Sequence, residues 1–136
     1  MIQVIAGRKG SGKTKRLIDL TNATAREAEH DVIFLDDDNR YMFDVDHKVR
    51  FINAEDYHIH TPDMFIGFIG GILSSNFDVG TVFVDAFLKL GHVALADCEP
   101  VIRSLEEMGA RNQVTFVLSL SADPEEIPDF LKSCLI

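Results

Sequence analysis

"VIAGRKGSGKTKRL", residues 4 to 17, joins a continuously apolar run to a stretch whose apolar residues recur at helical spacing. Residues 7 to 14 within it satisfy the pattern G-x-x-x-x-G-K-[ST] in full. Glycines at these positions allow the backbone to turn successive N–H groups inward, and a helix that begins near Lys13 adds its positive end at the same point. The stretch therefore predicts a phosphate-binding loop between a buried strand and a helix.

All residues of this loop are candidates for nucleotide contact: Gly7, Arg8, Lys9, Gly10, Ser11, Gly12, Lys13 and Thr14. Lys13 is predicted to reach the terminal phosphates and to take part in catalysis, and the Thr14 hydroxyl is predicted to coordinate a magnesium ion. The alternative is a glycine-rich turn that binds nothing.

Positive charge is concentrated in this one place. The chain has a net charge of −9, which argues against broad, non-specific nucleic-acid binding. Yet five of its 13 Lys and Arg residues fall within positions 8 to 16, namely Arg8, Lys9, Lys13, Lys15 and Arg16. Such a cluster suits a small polyanion, although Lys15 and Arg16 are equally explained as the solvated start of a helix.

Length and composition predict a single domain over residues 1–136. A chain of 136 residues with 46% apolar residues can bury its own core. No run approaches 18 apolar residues and no signal pattern opens the sequence, so we expect a cytoplasmic protein with no membrane association. Cys98 and Cys134 lack metal-ligand spacing and are expected to be reduced thiols.

Apolar runs alternate with helical patterns along the chain. Strands are predicted within residues 1–7, 31–39, 48–56, 80–87 and 112–121. The run at 80–87 reads as a central strand, whereas the polar alternation at 48–56 indicates an edge strand. The predicted fold class is α/β, a three-layer P-loop fold in which a mostly parallel sheet of four to five strands has helices on both faces.

The helices carry recognisable ends. The first is predicted from Lys13 to about His30, with its inward face at Leu17, Leu20, Thr24 and Ala28. A helix over 62–76 begins at a threonine cap followed by proline, and its apolar, glycine-containing surface indicates burial on more than one side, by the sheet and a loop or by a second copy of the chain. A third, over 97–109, is predicted to stop at Gly109, and a capping arrangement at 123–126 precedes a short terminal helix.

The run "TVFVD" at 81–85 supplies apolar and β-branched residues that end in Asp85. Together with the loop at 7–14, it resembles the Walker B and Walker A motifs of the P-loop NTPase superfamily. The resemblance implies that Asp85 lies beside the loop and holds the magnesium ion through water. The alternative is that Asp85 is a strand-end acid that caps a turn.

A weaker similarity, over residues 13–41, is to the thymidine-kinase-like and RecA-like branch, which runs from loop to helix to strand to an acidic turn containing Asn and Arg. The thymidine-kinase-like pattern places a glutamate directly after the Walker B aspartate, where this chain has Ala86. That family's zinc-binding cysteines and nucleoside-enclosing segment are also missing, which counts against a nucleoside kinase.

A substitute base must therefore be sought elsewhere. Asp36, Asp37 and Asp38 follow the second strand at the sheet edge where ligands bind, and Asp37 is our candidate catalytic base. A solvated acidic turn is an equal alternative. Other candidates are the acids Glu55 and Asp56, the phosphate-sensing serines Ser119 and Ser121, and the cations Arg40 and Arg103. His58 and His60 lack a third metal ligand.

Three functions follow from these residues. All begin with binding of ATP and Mg²⁺, and ATP is preferred to GTP because no [N/T]KxD-type guanine-reading segment is present. The first is a slow Mg²⁺-dependent NTPase, completed by a protein partner or by a homo-oligomer. The second is a small-molecule or nucleoside kinase. The third is a non-hydrolysing nucleotide sensor, and Ala86 counts against the first two.

Overall fold

A computed structural model describes residues 1–136. Its sheet consists of β1 (Ile2–Gly7), β2 (Asp31–Asp36), β3 (Val49–Asn53), β4 (Val79–Val84) and β5 (Thr115–Ser121). The spatial order is β1-β5-β4-β2-β3, and every neighbouring pair is parallel. The predicted central and edge positions of β4 and β3 are confirmed, and the sheet has the upper number of strands predicted.

The helices are α1 (Lys13–Glu27), α2 (Pro62–Ser75), α3 (Phe87–Leu90), α4 (Glu99–Asn112) and α5 (Asp129–Lys132). Short 3₁₀ helices lie at Ala54–Tyr57, Leu95–Asp97 and Pro124–Glu126, the last with the predicted capping box. None of the helices is long and apolar enough to cross a membrane.

Two apolar clusters, one on each face of the sheet, produce the three layers. On one face, Leu17 and Ile18 of α1 pack with Phe34, Phe83 and Val117 of three different strands. On the other face, α2 and α4 bury side chains against alternate strand residues in a larger cluster of 25 buried residues. Side chains two positions apart on a strand lie on the same face of the sheet. The residues two positions after Phe34, Phe83 and Val117 are Asp36, Asp85 and Ser119, so these polar side chains lie on the α1 face.

The first helix differs from prediction in its end and in its buried face. It ends at Glu27, where Ala28 turns to extended backbone (φ −71°, ψ 137°), rather than near His30. Its buried residues are Leu17, Ile18, Thr21 and Ala25, so the inward face is rotated from the predicted one. Thr21 can be buried because its hydroxyl donates to the Leu17 carbonyl oxygen at 2.7 Å, which satisfies the polar group.

Gly109 does not end its helix, contrary to the prediction. The helix α4 ends at Asn112, and the residue that caps it, Gln113, has a left-handed backbone (φ 57°). A Cβ at position 109 would lie 2.7 Å from the Val114 carbonyl oxygen and 3.3 Å from the Phe116 ring. The glycine is therefore required for close approach between the helix and the sheet, not for a turn.

The cap of α2 forms as predicted, since the Thr61 side chain accepts a hydrogen bond from the Met64 N–H at 3.1 Å. Phe65, Ile69 and Leu73 are buried on one side of this helix. The opposite side, where Gly67 and Gly71 lie, has no heavy atom within 4 Å of an added Cβ. Burial on more than one side is thus not found within a single chain.

Candidate functional site

A cleft of about 520 Å³ opens at the carboxyl edge of the sheet, beside the amino end of α1. Only three of its fifteen lining residues are hydrophobic. The lining residues are Lys9, Gly10, Lys13, Thr14, Asp36, Asp37, Asp38, Arg40, Tyr41, Asp85, Ala86, Leu88, Lys89, Ser119 and Ser121. A polar cleft at this edge is where open α/β sheets bind ligands.

The glycine loop connects β1 to α1 with the backbone that its sequence requires. Gly10 and Gly12 have positive φ angles of 83° and 89°. A Cβ at Gly7 would lie 2.6 Å from Ser11 Oγ, so a larger residue there would require the serine hydroxyl to turn away. Arg8 points to Asp123, with which it forms an ion pair, and it does not line the cleft.

Lys13 bends back over the loop and donates from Nζ to the Arg8 carbonyl oxygen at 2.9 Å. Partial burial lowers the pKa of Lys13, and the negative charge of Asp85 opposes this effect. The ammonium group thus lies within the cleft, near the positive end of α1 and close enough to Asp85 to be influenced by its charge.

Asp85 lies beside the loop, as the resemblance implied. Thr14 Oγ1 is 3.0 Å from Asp85 Oδ2, and Ser119 Oγ donates to Asp85 Oδ1 at 2.6 Å. The same serine oxygen accepts a hydrogen bond from the Ala86 N–H at 2.7 Å, and Asp85 is only 6% exposed. Two hydroxyl groups therefore fix the orientation of this carboxylate.

The donor set fits a magnesium ion. The Thr14 hydroxyl and the Asp85 carboxylate offer hard oxygen ligands within 3.3 Å of one another, and magnesium prefers such oxygens together with substrate phosphates. Gly10, whose positive φ a side chain would strain, lines the cleft beside them with Lys13, at the end where a phosphate group would lie.

The acidic triplet, Asp36, Asp37 and Asp38, faces the same cleft. Asp36 is 2% exposed, and its Oδ1 accepts a hydrogen bond from the Asp37 N–H at 2.7 Å. Its Oδ2 is buried, and no hydrogen-bond donor reaches it. Burial, the hydrogen bond to the Asp37 side chain and the negative charges of Asp85 and Asp37 raise the pKa of Asp36 to about 8.

The other two acids of the triplet have cationic partners. Asp37 forms an ion pair with Lys89. Burial alone would raise the pKa of Asp37, but the hydrogen bonds with Lys89 and Asp36 and the charge of Lys89 together hold that pKa below its ordinary value. Asp38 accepts from the Arg40 N–H at 2.8 Å and pairs with the Arg40 guanidinium at 3.3 Å. The predicted base, Asp37, is thus the acid of the triplet that a lysine neutralises.

The remaining candidates divide into two groups. Ser119, Ser121 and Arg40 line the cleft, whereas Glu55 and Asp56 lie in the 3₁₀ helix after β3 and do not. Arg103 lies on α4, pairs with Glu106 and stacks over the Phe130 ring at 5.4 Å. It is therefore outside the cleft.

Sequence reasoning missed Lys89 and the contact of Ser119 with Asp85. Lys89 lies on α3, a helix of four residues, and no local pattern marks it as a partner of Asp37. Ser119 interrupts an otherwise apolar strand, which was the available signal, but its partner lies 34 residues away in sequence. Ala86, where a glutamate is usual, has a left-handed backbone with φ 52°.

Comparison with known proteins shows the fold and no closer relationship. No family model matches the sequence, and no curated protein matches it. The flagellar accessory protein FlaH from Methanocaldococcus jannaschii superposes with a TM-score of 0.60 and 11% identity, over 97% of this chain and 65% of that one. The KaiC-like protein PH0186 from Pyrococcus horikoshii OT3 superposes with a TM-score of 0.53 and 12% identity, over 93% of this chain and 63% of that one.

This chain therefore spans less than two thirds of the length of either protein. The likeness confirms the predicted fold class, an α/β fold with a parallel sheet and helices on both faces, which this chain shares with FlaH and the KaiC-like protein.

Proposed function

We propose that this chain, which has the fold of RecA-like P-loop ATPase domains, binds ATP with Mg²⁺ in the cleft and hydrolyses it slowly. The observation that carries the proposal is the contact of Thr14 with Asp85 at 3.0 Å, beside Lys13 and the amino end of α1. A hydroxyl, a carboxylate and an ammonium group meet there at a loop built for phosphate.

Each group has a distinct part in binding. The N–H groups of residues 7–14 and the positive end of α1 attract the phosphate chain. The ammonium group of Lys13 donates to the Arg8 carbonyl oxygen and would turn from it to the terminal phosphates. Mg²⁺, when bound, neutralises phosphate charge. Ser119 keeps Asp85 facing Thr14.

We expect slow turnover because the cleft has no efficient catalytic base. Ala86 has no ionisable group, and Asp37 is neutralised by Lys89. We therefore assign the base to Asp36 rather than to Asp37, since Asp36 lines the cleft and forms no ion pair. Its pKa of about 8 means that it is mostly protonated at neutral pH and a poor proton acceptor.

The cations needed for turnover are present but engaged. Lys89 and Arg40 line the cleft, and their exposed side chains pair with Asp37 and Asp38. The exposed pair of Arg40 and Asp38 contributes at most about 1 kcal/mol, so a triphosphate can compete for Arg40. A cation from a protein partner or a second copy of the chain is the alternative source.

A small-molecule kinase is the second candidate. The cleft extends beyond the loop to Asp37, Asp38, Arg40 and Tyr41, which is more polar lining than a phosphate chain requires. An acceptor hydroxyl group could use Asp36 in the same way as water. The third candidate, a nucleotide sensor without turnover, is favoured by Ala86 and by the pairing of Asp37 with Lys89.

The test measures phosphate release from ATP and from GTP with Mg²⁺, alongside calorimetric binding of each, over a tenfold range of protein concentration. We expect tight binding of ATP and slow release of phosphate. Turnover that rises faster than protein concentration would assign the missing cation to a subunit interface.

Tight binding without release would favour the sensor or a kinase that lacks its acceptor. No binding of either nucleotide would sink the proposal. The variant Lys15→Ala serves as a matched control for the loop, since Lys15 pairs with Asp19 on the exposed side of α1.

A further inference from the structure

The acidic triplet brings three carboxylates together at the end of β2. Each offers one ligand oxygen, and these oxygens lie within 4.8 Å of one another. We propose that Asp36, Asp37 and Asp38 bind a hard divalent cation in a second site, separate from the one that Thr14 and Asp85 form. The inference goes beyond ATP binding and does not require it.

The buried oxygen of Asp36 is the strongest argument. Asp36 is 2% exposed, yet no hydrogen-bond donor reaches its Oδ2. Buried polar atoms are nearly always paired, and leaving one unpaired costs about 1–3 kcal/mol. Asp36 lines the cleft, so a cation bound there would lie next to this carboxylate. A metal ion would supply the missing partner, whereas Asp37 and Asp38 already have theirs.

The partners of Asp37 and Asp38 can leave at low cost. Lys89 and Arg40 hold them through side chains that are 68% and 70% exposed. The pair of Arg40 and Asp38 contributes little, because water compensates both ions when they separate. Asp37 is only 17% exposed, so it needs a new positive partner when Lys89 leaves, and a divalent cation would be that partner.

The chemistry of the triplet selects the class of metal. Its ligands are carboxylate oxygens, which suit Mg²⁺, Mn²⁺ and Ca²⁺ rather than metals that prefer thiolate or imidazole. Asp85, by contrast, is fixed by the hydroxyls of Thr14 and Ser119, so its oxygens face a different set of partners. A cation at the triplet would also release Lys89 toward the phosphates.

The test titrates the full chain with Mn²⁺ in the absence of nucleotide and measures the free ion by electron paramagnetic resonance. We expect saturable binding that Mg²⁺ competes away. Asp36→Asn, which keeps the shape of the side chain, should weaken the triplet site by at least about tenfold, and Asp38→Asn should also weaken it. Asp129→Asn, which removes an exposed acid on α5, should not.

Two further variants identify the site. Thr14→Val removes a ligand of the other site and should leave binding at the triplet unchanged. Lys89→Met should tighten binding several-fold, because the metal no longer competes with an ammonium group, whereas Lys132→Met, which removes the partner of Asp129, should have no effect. Circular dichroism of each variant verifies the fold.

Mn²⁺ binding that is the same in Asp36→Asn, Asp38→Asn and the unmodified chain would overturn the inference, as would binding that Thr14→Val abolishes. Calorimetry with ATP on the same samples separates the two proposals. ATP binding with an unaffected Mn²⁺ titration would sink the second site alone. Mn²⁺ binding that depends on Asp36, without ATP binding, would sink the proposed function alone.

Discussion

Thr14 Oγ1 lies 3.0 Å from Asp85 Oδ2, although the two residues are 71 positions apart in sequence. The contact joins the first residues of α1 to the end of the central strand. It brings the glycine loop and the strand-end acid into one site, which neither segment forms alone.

Asp85→Asn tests the metal side of this contact. An amide oxygen is a weaker ligand for Mg²⁺ than a carboxylate, so nucleotide affinity in the presence of Mg²⁺ should fall by about 10- to 100-fold. Affinity in the absence of Mg²⁺ should change much less. Calorimetric titration with ATP under both conditions measures the difference. Equal losses in both would remove Asp85 from the metal site.

Lys13→Ala tests the phosphate side. The substitution removes a charge-assisted hydrogen bond of about 1.5–3 kcal/mol, so ATP affinity should fall by at least about tenfold and turnover should be lost. The domain should stay folded because Lys13 contacts only a loop carbonyl oxygen through its side chain. Calorimetry and thermal melting measure the two properties. Unchanged ATP affinity would exclude the loop as a phosphate site.

Asp36 should make the stability of the metal-free protein depend on pH. Its pKa is about 8 in the folded state, against an ordinary value of 3.8 in the unfolded chain. Between these values the folded state holds a proton that the unfolded state has released. Stability therefore falls as pH rises through this window, by up to ~1.4 kcal/mol per pH unit.

Asp36→Asn removes that titration. Urea unfolding in the presence of a chelator should give a smaller difference between pH 5 and pH 8 for the variant than for the unmodified chain. The variant should also be the more stable of the two at pH 8, by on the order of a few kcal/mol. The same pH dependence in both proteins would show that Asp36 ionises normally. Asp129→Asn provides the exposed control.

Two glycines should respond oppositely to alanine. Gly109→Ala places a Cβ 2.7 Å from the Val114 carbonyl oxygen and should destabilise the fold by ~1–3 kcal/mol. Gly67→Ala has open space around it within α2 and should stabilise by ~0.5–1 kcal/mol. Denaturant unfolding of both variants measures the pair. A loss of stability in Gly67→Ala would indicate that its face is packed against something in solution.

The sequence by itself determined the loop, the strands and the fold class. These features are local: the glycines and Lys13 stand within eight positions, residues 7–14, and continuous apolar runs predict buried parallel strands wherever they occur. The cap of α2 could also be predicted from the sequence, since Thr61 and its hydrogen-bond partner Met64 are three positions apart. Even so, the buried face of α1 and the role of Gly109 were predicted wrongly, because both depend on what the helix packs against.

Only the tertiary structure decided which polar groups meet. The strand order places β5 between β1 and β4, and β2 on the other side of β4, so Ser119, Asp85 and Asp36 face one cleft. The pairing of Asp37 with Lys89 and the unpartnered oxygen of Asp36 follow from that arrangement. No local pattern encodes them, because protonation and pairing depend on distances across strands that lie far apart in sequence.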